Sequence, residues 1–343
     1  MMNNNALSSE EEATALYLLE QAMSYTWCAS LRAIAFLGVA DRLTLEAKTA
    51  EQLAGEMGLE AQPLVRAMRM LASRGVFKQD ADGAFSLTPA AEFLRADHPF
   101  SLRAGVLMLT DKTFWLPSLD IVEILRGKSA FNALFGKSFY DYWTQENIPV
   151  EENYFHAGMS SMSMVENEII VRHYAFPENA TVADIAGGFG GLLLKVLQHN
   201  PALYGILFDR PQVLPGNRLA ELGDNSRWEL KAGSFFESCP QADFYLLKYI
   251  VMDWPDKEAT QILRTCRQAM RAEAKVLLFE PVIADTAVKH GVNEIDSLLL
   301  ASFDGGRVRT QAELSAMMSD AGLKLNRIID TGFYISIVEA VAA

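Results

Sequence analysis

At 343 residues the chain exceeds what one hydrophobic core organises, which points to two domains or to one large domain with an appendage. Half of it is hydrophobic and its formal charge is −13, so nucleic acid or an anionic membrane would repel it, while a small neutral or cationic ligand suits it. Cys28, Cys239 and Cys266 are too few and too scattered for a disulfide framework or a metal site, and are expected as buried free thiols. The start, MMNNNALSSEEEATAL, has neither the basic nor the apolar region of a signal peptide. With no apolar run of the ~20 residues that span a membrane, a cytoplasmic location is expected.

Residues 15 to 43 carry Leu19, Met23, Trp27, Leu31 and Ile34 at helical spacing, on a face wide enough to need a partner. Thr49 and Gln52 then have the spacing of a reciprocal helix cap, and Gly58 that of a terminator. A second helix with Leu64, Met68 and Leu71 leads to VFKQDADGAFSLT, a hairpin turning at Asp82-Gly83. Helix, helix and two-stranded wing make a winged-helix pattern. A groove-reading module needs a basic face, yet residues 41 to 97 hold seven basic against nine acidic side chains, so a structural or dimerising role is expected.

Residues 98 to 178 lack strand alternation and read as helices, with RGKSAFNALFGKSFYDYW as a loop-like middle. From Thr181 onward, apolar runs of strand length (TVADIA, LYGILFD, WELKAG, ADFYLLKYIV, AKVLLFEPVI) alternate with helical stretches, the pattern of a doubly wound α/β domain. The boundaries expected are 1–105 for the dimerising and winged-helix part, 106–178 for a helical linker and 179–343 for the Rossmann-like α/β domain.

The stretch VADIAGGFGG runs a strand into a turn where four of five residues from Gly187 to Gly191 are glycine. Such a turn opens backbone N–H groups and a helix N-terminus towards a ligand. Asp209 ends the next strand, where a carboxylate can accept both hydroxyls of a ribose. AGSFFE ends a third strand with aromatics that can stack on a base, and Lys248 ends a fourth. Together the four tips describe a nucleoside site.

These motifs, with FDRPQVL, LLKYIVMDW and GGRVRTQAEL, give the chain a resemblance over nearly its whole length to the plant-type O-methyltransferases and their bacterial natural-product relatives. The resemblance implies a homodimer through the N-terminal helices, S-adenosylmethionine as cofactor and a small-molecule substrate. By position it puts Asp184, Ala186, Gly187, Gly188 and Gly190 in the methionine-side loop, Asp209 with its neighbour Arg210 at the ribose, Ser234 and Phe235 at the adenine, and Lys248 and Ser163 near the amino-acid end. Phe155, Met159, Met162, Ile295, Leu298, Leu299 and Phe303 would line an apolar chamber for a flat aromatic ligand.

The chain also departs from the family pattern. Where the family has Leu-Lys-x-x-x-His-Asp-Trp with the histidine as general base, this chain has Met252, whose thioether takes no proton near neutral pH. Glu280 matches one of two carboxylates that flank the base; the other position is Val308. Ala186 replaces the first glycine of the loop, a change tolerable at a backbone φ below zero, and Ser234 replaces an aspartate. Three explanations follow. The nucleophile needs no deprotonation, as for an aromatic ring nitrogen, a thiolate or an acidic phenol already ionised, in an O- or N-methyl transfer; or Asp253, His156, Tyr142 or Asp304 substitutes as base; or the cofactor serves an enzyme that moves no methyl group, such as a decarboxylase, hydroxylase or pericyclic catalyst. A catalytically silent ligand-binding homologue is a further alternative. The expected catalytic positions are Met252, Asp253 and Glu280, and no metal is expected.

Overall fold

The computed structural model describes residues 7–44, 46–143, 154–284, 289 and 291–343. Residues 1–6 of the opening stretch, and 144–153 of the expected linker, lie outside them. The chain divides into two compact units. One takes in the described residues to Asp111 and those from Tyr154 to Ser161; the other takes in Lys112 to Trp143 and Met162 to Ala343.

In the first unit, α1 (Ser9–Ala22) starts on a reciprocal cap between Ser8 and Glu11, and α2 (Ser24–Leu37) stops at Gly38, whose φ of +69° is left-handed. No residue of α1 is buried, and Leu16, Tyr17, Leu18 and Leu19 are exposed. The core is built instead from Ile34 and Ala35 of α2, Leu53 of α3 (Ala50–Met57) and Leu64, Met68 and Leu71 of α4 (Ala61–Ala72). Thr49 and Gln52 cap α3 reciprocally and Gly58 ends it at φ +66°, as their spacing predicts. Strands β1 (Phe77–Gln79) and β2 (Phe85–Leu87) form an antiparallel hairpin that bury Phe77 and Phe85. Helices α5 (Pro89–Glu92) and α6 (Arg103–Leu109) complete this unit.

The second unit opens with α7 (Lys112–Leu119), α8 (Ile121–Leu125), α9 (Ala130–Phe135) and α10 (Phe139–Trp143). The last two correct the expected loop-like middle. Ser129 caps the N–H of Asn132 and Gly136 closes α9 at φ +69°, so this short segment carries its own start and stop signals. Helix α11 (Tyr154–His173) gives its first residues to the first unit and the rest to the second.

Strands β3 (Thr181–Ile185), β4 (Tyr204–Asp209), β5 (Trp228–Ala232), β6 (Phe244–Lys248) and β7 (Lys275–Glu280) run parallel, alternating with α12 (Gly191–His199) and α13 (Asp256–Ala269). After β8 (Val282–Ile283), α14 (Val292–Ser302), β9 (Arg309–Thr310) and α15 (Gln311–Asp320), the strands β10 (Leu323–Asp330) and β11 (Ser336–Ala342) add an antiparallel edge. The large sheet has the order β10-β11-β7-β6-β3-β4-β5. Its strands β3, β4, β6 and β7 are apolar on both faces, and the period of two sends successive residues to opposite cores. Ala183, Ile206, Tyr245 and Val276 pack with Ile262 and Cys266 of α13 on one face; Val182, Leu207, Leu246 and Leu277 pack with Leu193 and Val196 of α12 on the other. The order reverses at β3, which has β4 on one side and β6 on the other. This is the switch point where open parallel sheets leave a crevice beyond their C-terminal strand ends.

Two of the three thiols are less buried than expected. Cys28 and Cys239 are half-buried, the latter because it lies in the loop after β5; only Cys266 is buried. Among the described residues no helix is long and apolar enough to cross a membrane.

Candidate active site

Lys248, the glycine turn, Asp209 and Ser234 end or follow β6, β3, β4 and β5, which are adjacent and parallel, so the topology brings these four tips together along one edge. The turn is tight. A Cβ on Gly187 would stand 2.5 Å from the Asp184 carboxyl and 2.6 Å from Leu207, while Gly188 and Gly190 adopt φ of +60° and +76°. Ala186 corrects the expectation of a negative φ: it sits at +54°, left-handed backbone that disfavours any Cβ. Its N–H is held by the Phe208 carbonyl at 2.8 Å, which ties the loop to β4.

Asp209 does more than its position predicts. Its Oδ2 accepts the Gly188 N–H at 2.8 Å and its Oδ1 the Arg210 N–H at 2.6 Å, while the Arg210 side chain is exposed. Asp184 is buried, and its Oδ2 has no hydrogen-bond partner among the described residues. Burial pushes its carboxyl up to about 7, against the pull of the Leu193 backbone and of Lys248. An unpartnered buried oxygen beside a glycine cradle with no room for a side chain suits a ligand with a cationic end.

At the third tip, Phe235 packs edge-on against Phe236 at 4.8 Å and Trp254 at 6.0 Å, and the Ser234 hydroxyl accepts the Phe236 N–H at 3.3 Å. At the fourth, Lys248 Nζ donates to Ser163 Oγ at 2.9 Å and to Asn167 Oδ1 at 3.1 Å, and pairs with Glu166 at 2.6 Å.

Met252 lies in a short helical turn at 251–253, beyond the end of β6, and is buried with Val292, Leu299 and Val308. Tyr249, Ile295, Phe303 and Tyr334 pack against that cluster. The turn is fastened from below by Arg309, a fully buried guanidinium that donates to the carbonyls of Val251 and Trp254, each at 2.8 Å, and pairs with Asp256. Glu280 accepts the Met252 N–H at 3.2 Å, and burial pushes its carboxyl up to about 7 despite nearby Arg309. Asp253 is likewise pushed up to about 7 by burial, offset in part by the hydrogen bond from the Tyr140 hydroxyl.

The other expected residues separate. Ile295, Leu299 and Phe303 join Met252, and Phe303 meets Phe139 at 4.5 Å; Leu298 and Met162 are half-buried in the same unit. Phe155, Met159 and His156 belong to the first unit, where Phe155 packs on the His156 ring at 5.4 Å. Tyr142 packs edge-on against Phe131, Phe135 and Trp143, and Asp304 is exposed and accepts from Asn132. Arg309, Glu166, Tyr249, Tyr334 and Tyr140 escaped the sequence reading. Arg309 and Tyr249 had a local signal, their places in GGRVRT and LLKYIVMDW.

The profile of the O-methyltransferase domain matches residues 115–324, and that of the O-methyltransferase dimerisation domain matches residues 19–97. The chain is 34% identical over 328 residues to the phenazine O-methyltransferase PhzM of Lysobacter antibioticus, covering 94% of this chain and 95% of that one. The crystal structure of CalO1, a methyltransferase in calicheamicin biosynthesis in its S-adenosylhomocysteine-bound form, superposes with a TM-score of 0.90 at 38% identity, over 98% of this chain and 100% of the other. NcsB1, an O-methyltransferase from neocarzinostatin biosynthesis in complex with S-adenosylmethionine and 2-hydroxy-5-methyl naphthoic acid, gives a TM-score of 0.73 at 30% identity, over 93% and 96% of the two chains.

Proposed function

Because the chain belongs to the O-methyltransferase family, we propose that it methylates a hydroxyl of a flat aromatic secondary metabolite, one acidic enough to arrive ionised, without an imidazole base. S-Adenosylmethionine is the cofactor and, when bound, supplies a methyl group on a sulfonium sulfur. Asp184 and the backbone of the glycine turn would hold its methionine end, Asp209 its ribose, and Phe235 with Ser234 its base. The phenazine of PhzM and the hydroxynaphthoic acid of NcsB1 support an acceptor of this shape. The exposed aliphatic side chains of α1, together with the dimerisation-domain match, support a homodimer through the N-terminal helices.

One observation carries the base-free reading: the side chain at 252 is a thioether buried among Val292, Leu299 and Val308, where it neither takes a proton nor hydrates one. The contribution left to the protein is orientation of the acceptor and exclusion of water. The test is a panel of hydroxylated aromatics of graded acidity, assayed with labelled cofactor for S-adenosylhomocysteine and methylated product. Turnover should follow the ionised fraction of the phenol. Conversion of an acceptor without consumption of cofactor would move the protein to a non-methylating activity.

A second reading rests on Asp253. A carboxyl held near 7 is well matched to proton transfer at neutral pH, and Tyr140, against Phe303, fixes its direction. In that case Asp253 takes the acceptor proton, and turnover depends on the acidity of the phenol less steeply than its ionised fraction does.

A further inference from the structure

Glu166 is buried to 0% exposure on α11, one turn beyond Ser163. Its carboxylate gathers the tip of β6 and the loop between β10 and β11: it accepts the Tyr249 hydroxyl at 2.8 Å and the Tyr334 hydroxyl at 2.5 Å, and pairs with Lys248 Nζ at 2.6 Å. An ammonium has three donors. Two of those of Lys248 go to Ser163 and Asn167, while Glu166 Oε2 pairs with the ammonium by charge; the three residues stand at i, i+3 and i+4 and thus on one face of the helix. Tyr249, bonded to the same carboxylate, stands at φ +56°, a conformation that a bulky residue keeps only when its surroundings hold it. Taking an ion pair out of water is costly, and apolar side chains of similar volume would pack there without that cost. A core requirement therefore does not account for the pair.

We propose that Glu166 is a positioning residue of the cofactor site, which neutralises Lys248 and turns its ammonium along α11 so that the tip of β6 shows no net positive charge to a cationic cofactor. The inference rests on S-adenosylmethionine binding at these strand tips. That molecule carries a sulfonium, an ammonium and a carboxylate, one net positive charge in all; S-adenosylhomocysteine, after loss of the methyl group, carries none. An unopposed Lys248 would penalise the first more than the second. With Glu166 in place, nearby Asp209 and Asp184 set the sign of the local field, and the charged cofactor is favoured over its product.

The experiment is calorimetric titration of the full-length protein with S-adenosylmethionine and with S-adenosylhomocysteine, reading the ratio of the two affinities. Glu166→Gln keeps the shape and an acceptor for the tyrosines, and should shift the ratio against S-adenosylmethionine by about tenfold, the size expected of one uncompensated charge at a partly screened site. Glu166→Gln combined with Lys248→Met removes both charges and should restore the ratio; Glu166→Asp should keep it. A purely structural role would instead weaken both ligands by the same factor and leave the ratio unmoved in all three variants, which overturns the inference. Should Glu166→Gln not fold, the ratio in the double variant and in Lys248→Met alone, where the shift must reverse, decides the matter in the same way. A wild-type protein that binds neither nucleoside removes the cofactor reading itself, whereas normal wild-type binding with an unmoved ratio removes only the role of Glu166.

Discussion

The Asp209 carboxylate accepts the backbone N–H of Gly188 at 2.8 Å, so a side chain at the end of β4 fastens the glycine turn that follows β3. With Arg210 N–H on the other oxygen, Asp209 has a structural duty besides any contact with a ribose. Asp209→Ala should lose at least tenfold in affinity for S-adenosylmethionine and about 1–3 kcal/mol in stability, the range for stranding hydrogen-bonding groups. Asp209→Asn keeps one acceptor oxygen and should recover stability more fully than affinity. Titration calorimetry and urea denaturation read the two effects separately, and unchanged affinity in Asp209→Ala would take this residue out of the cofactor site.

Ala186 sits at φ +54° where the family pattern has glycine. A Cβ in left-handed backbone costs about 1–2 kcal/mol, while glycine gives back about 0.4–1 kcal/mol through the freer unfolded chain. Ala186→Gly should therefore stabilise the protein by roughly 0.5–1 kcal/mol. A rise in the urea midpoint at constant slope is the expected record, and a fall would mean that the loop is held by contacts which relieve the strain at Ala186.

How much of this was legible beforehand depends on the range of the interaction. The capping of α3 by Thr49 and Gln52, its stop at Gly58 and the apolar strands from Thr181 onward are set by neighbours in sequence, and pattern alone finds them. The tips bearing Lys248, Gly187, Asp209 and Ser234 were legible because parallel topology puts every C-terminal end on one edge. Glu166 was not. An acidic residue on a helix usually faces water, and nothing near it in the chain announces that Tyr334, from the loop between β10 and β11, will meet its carboxylate. The sign of φ at Ala186 was misjudged because a backbone angle in a turn is imposed by what the turn must clear, here the Asp184 carboxyl and Leu207 at Gly187.

The two accounts of proton removal make opposite statements about two adjacent residues. Met252→Leu preserves an apolar side chain of similar volume in the cluster with Val292 and Leu299, and on the base-free reading should leave kcat within about twofold. Asp253→Asn keeps an acceptor for the Tyr140 hydroxyl yet removes the basic carboxylate. If the acceptor arrives ionised, its effect on kcat stays small at every pH. If Asp253 is the base, kcat falls by about a hundredfold or more, most steeply for the least acidic phenols. Steady-state rates of both variants across the graded acceptor panel distinguish the two.

Asp184 makes cofactor binding and stability depend on pH in opposite senses. Burial raises its carboxyl from 3.8 to about 7, so across that interval the folded chain keeps a proton that the unfolded chain has released. The unfolded state then binds fewer protons, and stability of the free protein falls as pH climbs from about 4 to 7; Glu280 and Asp253, also raised to about 7, act in the same direction. A cationic ligand beside the unpartnered Oδ2 favours the ionised carboxylate. Affinity for S-adenosylmethionine should accordingly increase with pH up to about 7 and level off above it, with proton release on binding at pH 6. Titrations at that pH in two buffers of different ionisation enthalpy measure the released proton directly. In Asp184→Asn, which retains an acceptor for the Leu193 N–H, both the release and the pH slope of affinity should shrink, and a slope that persists unchanged would assign the linked proton to another group.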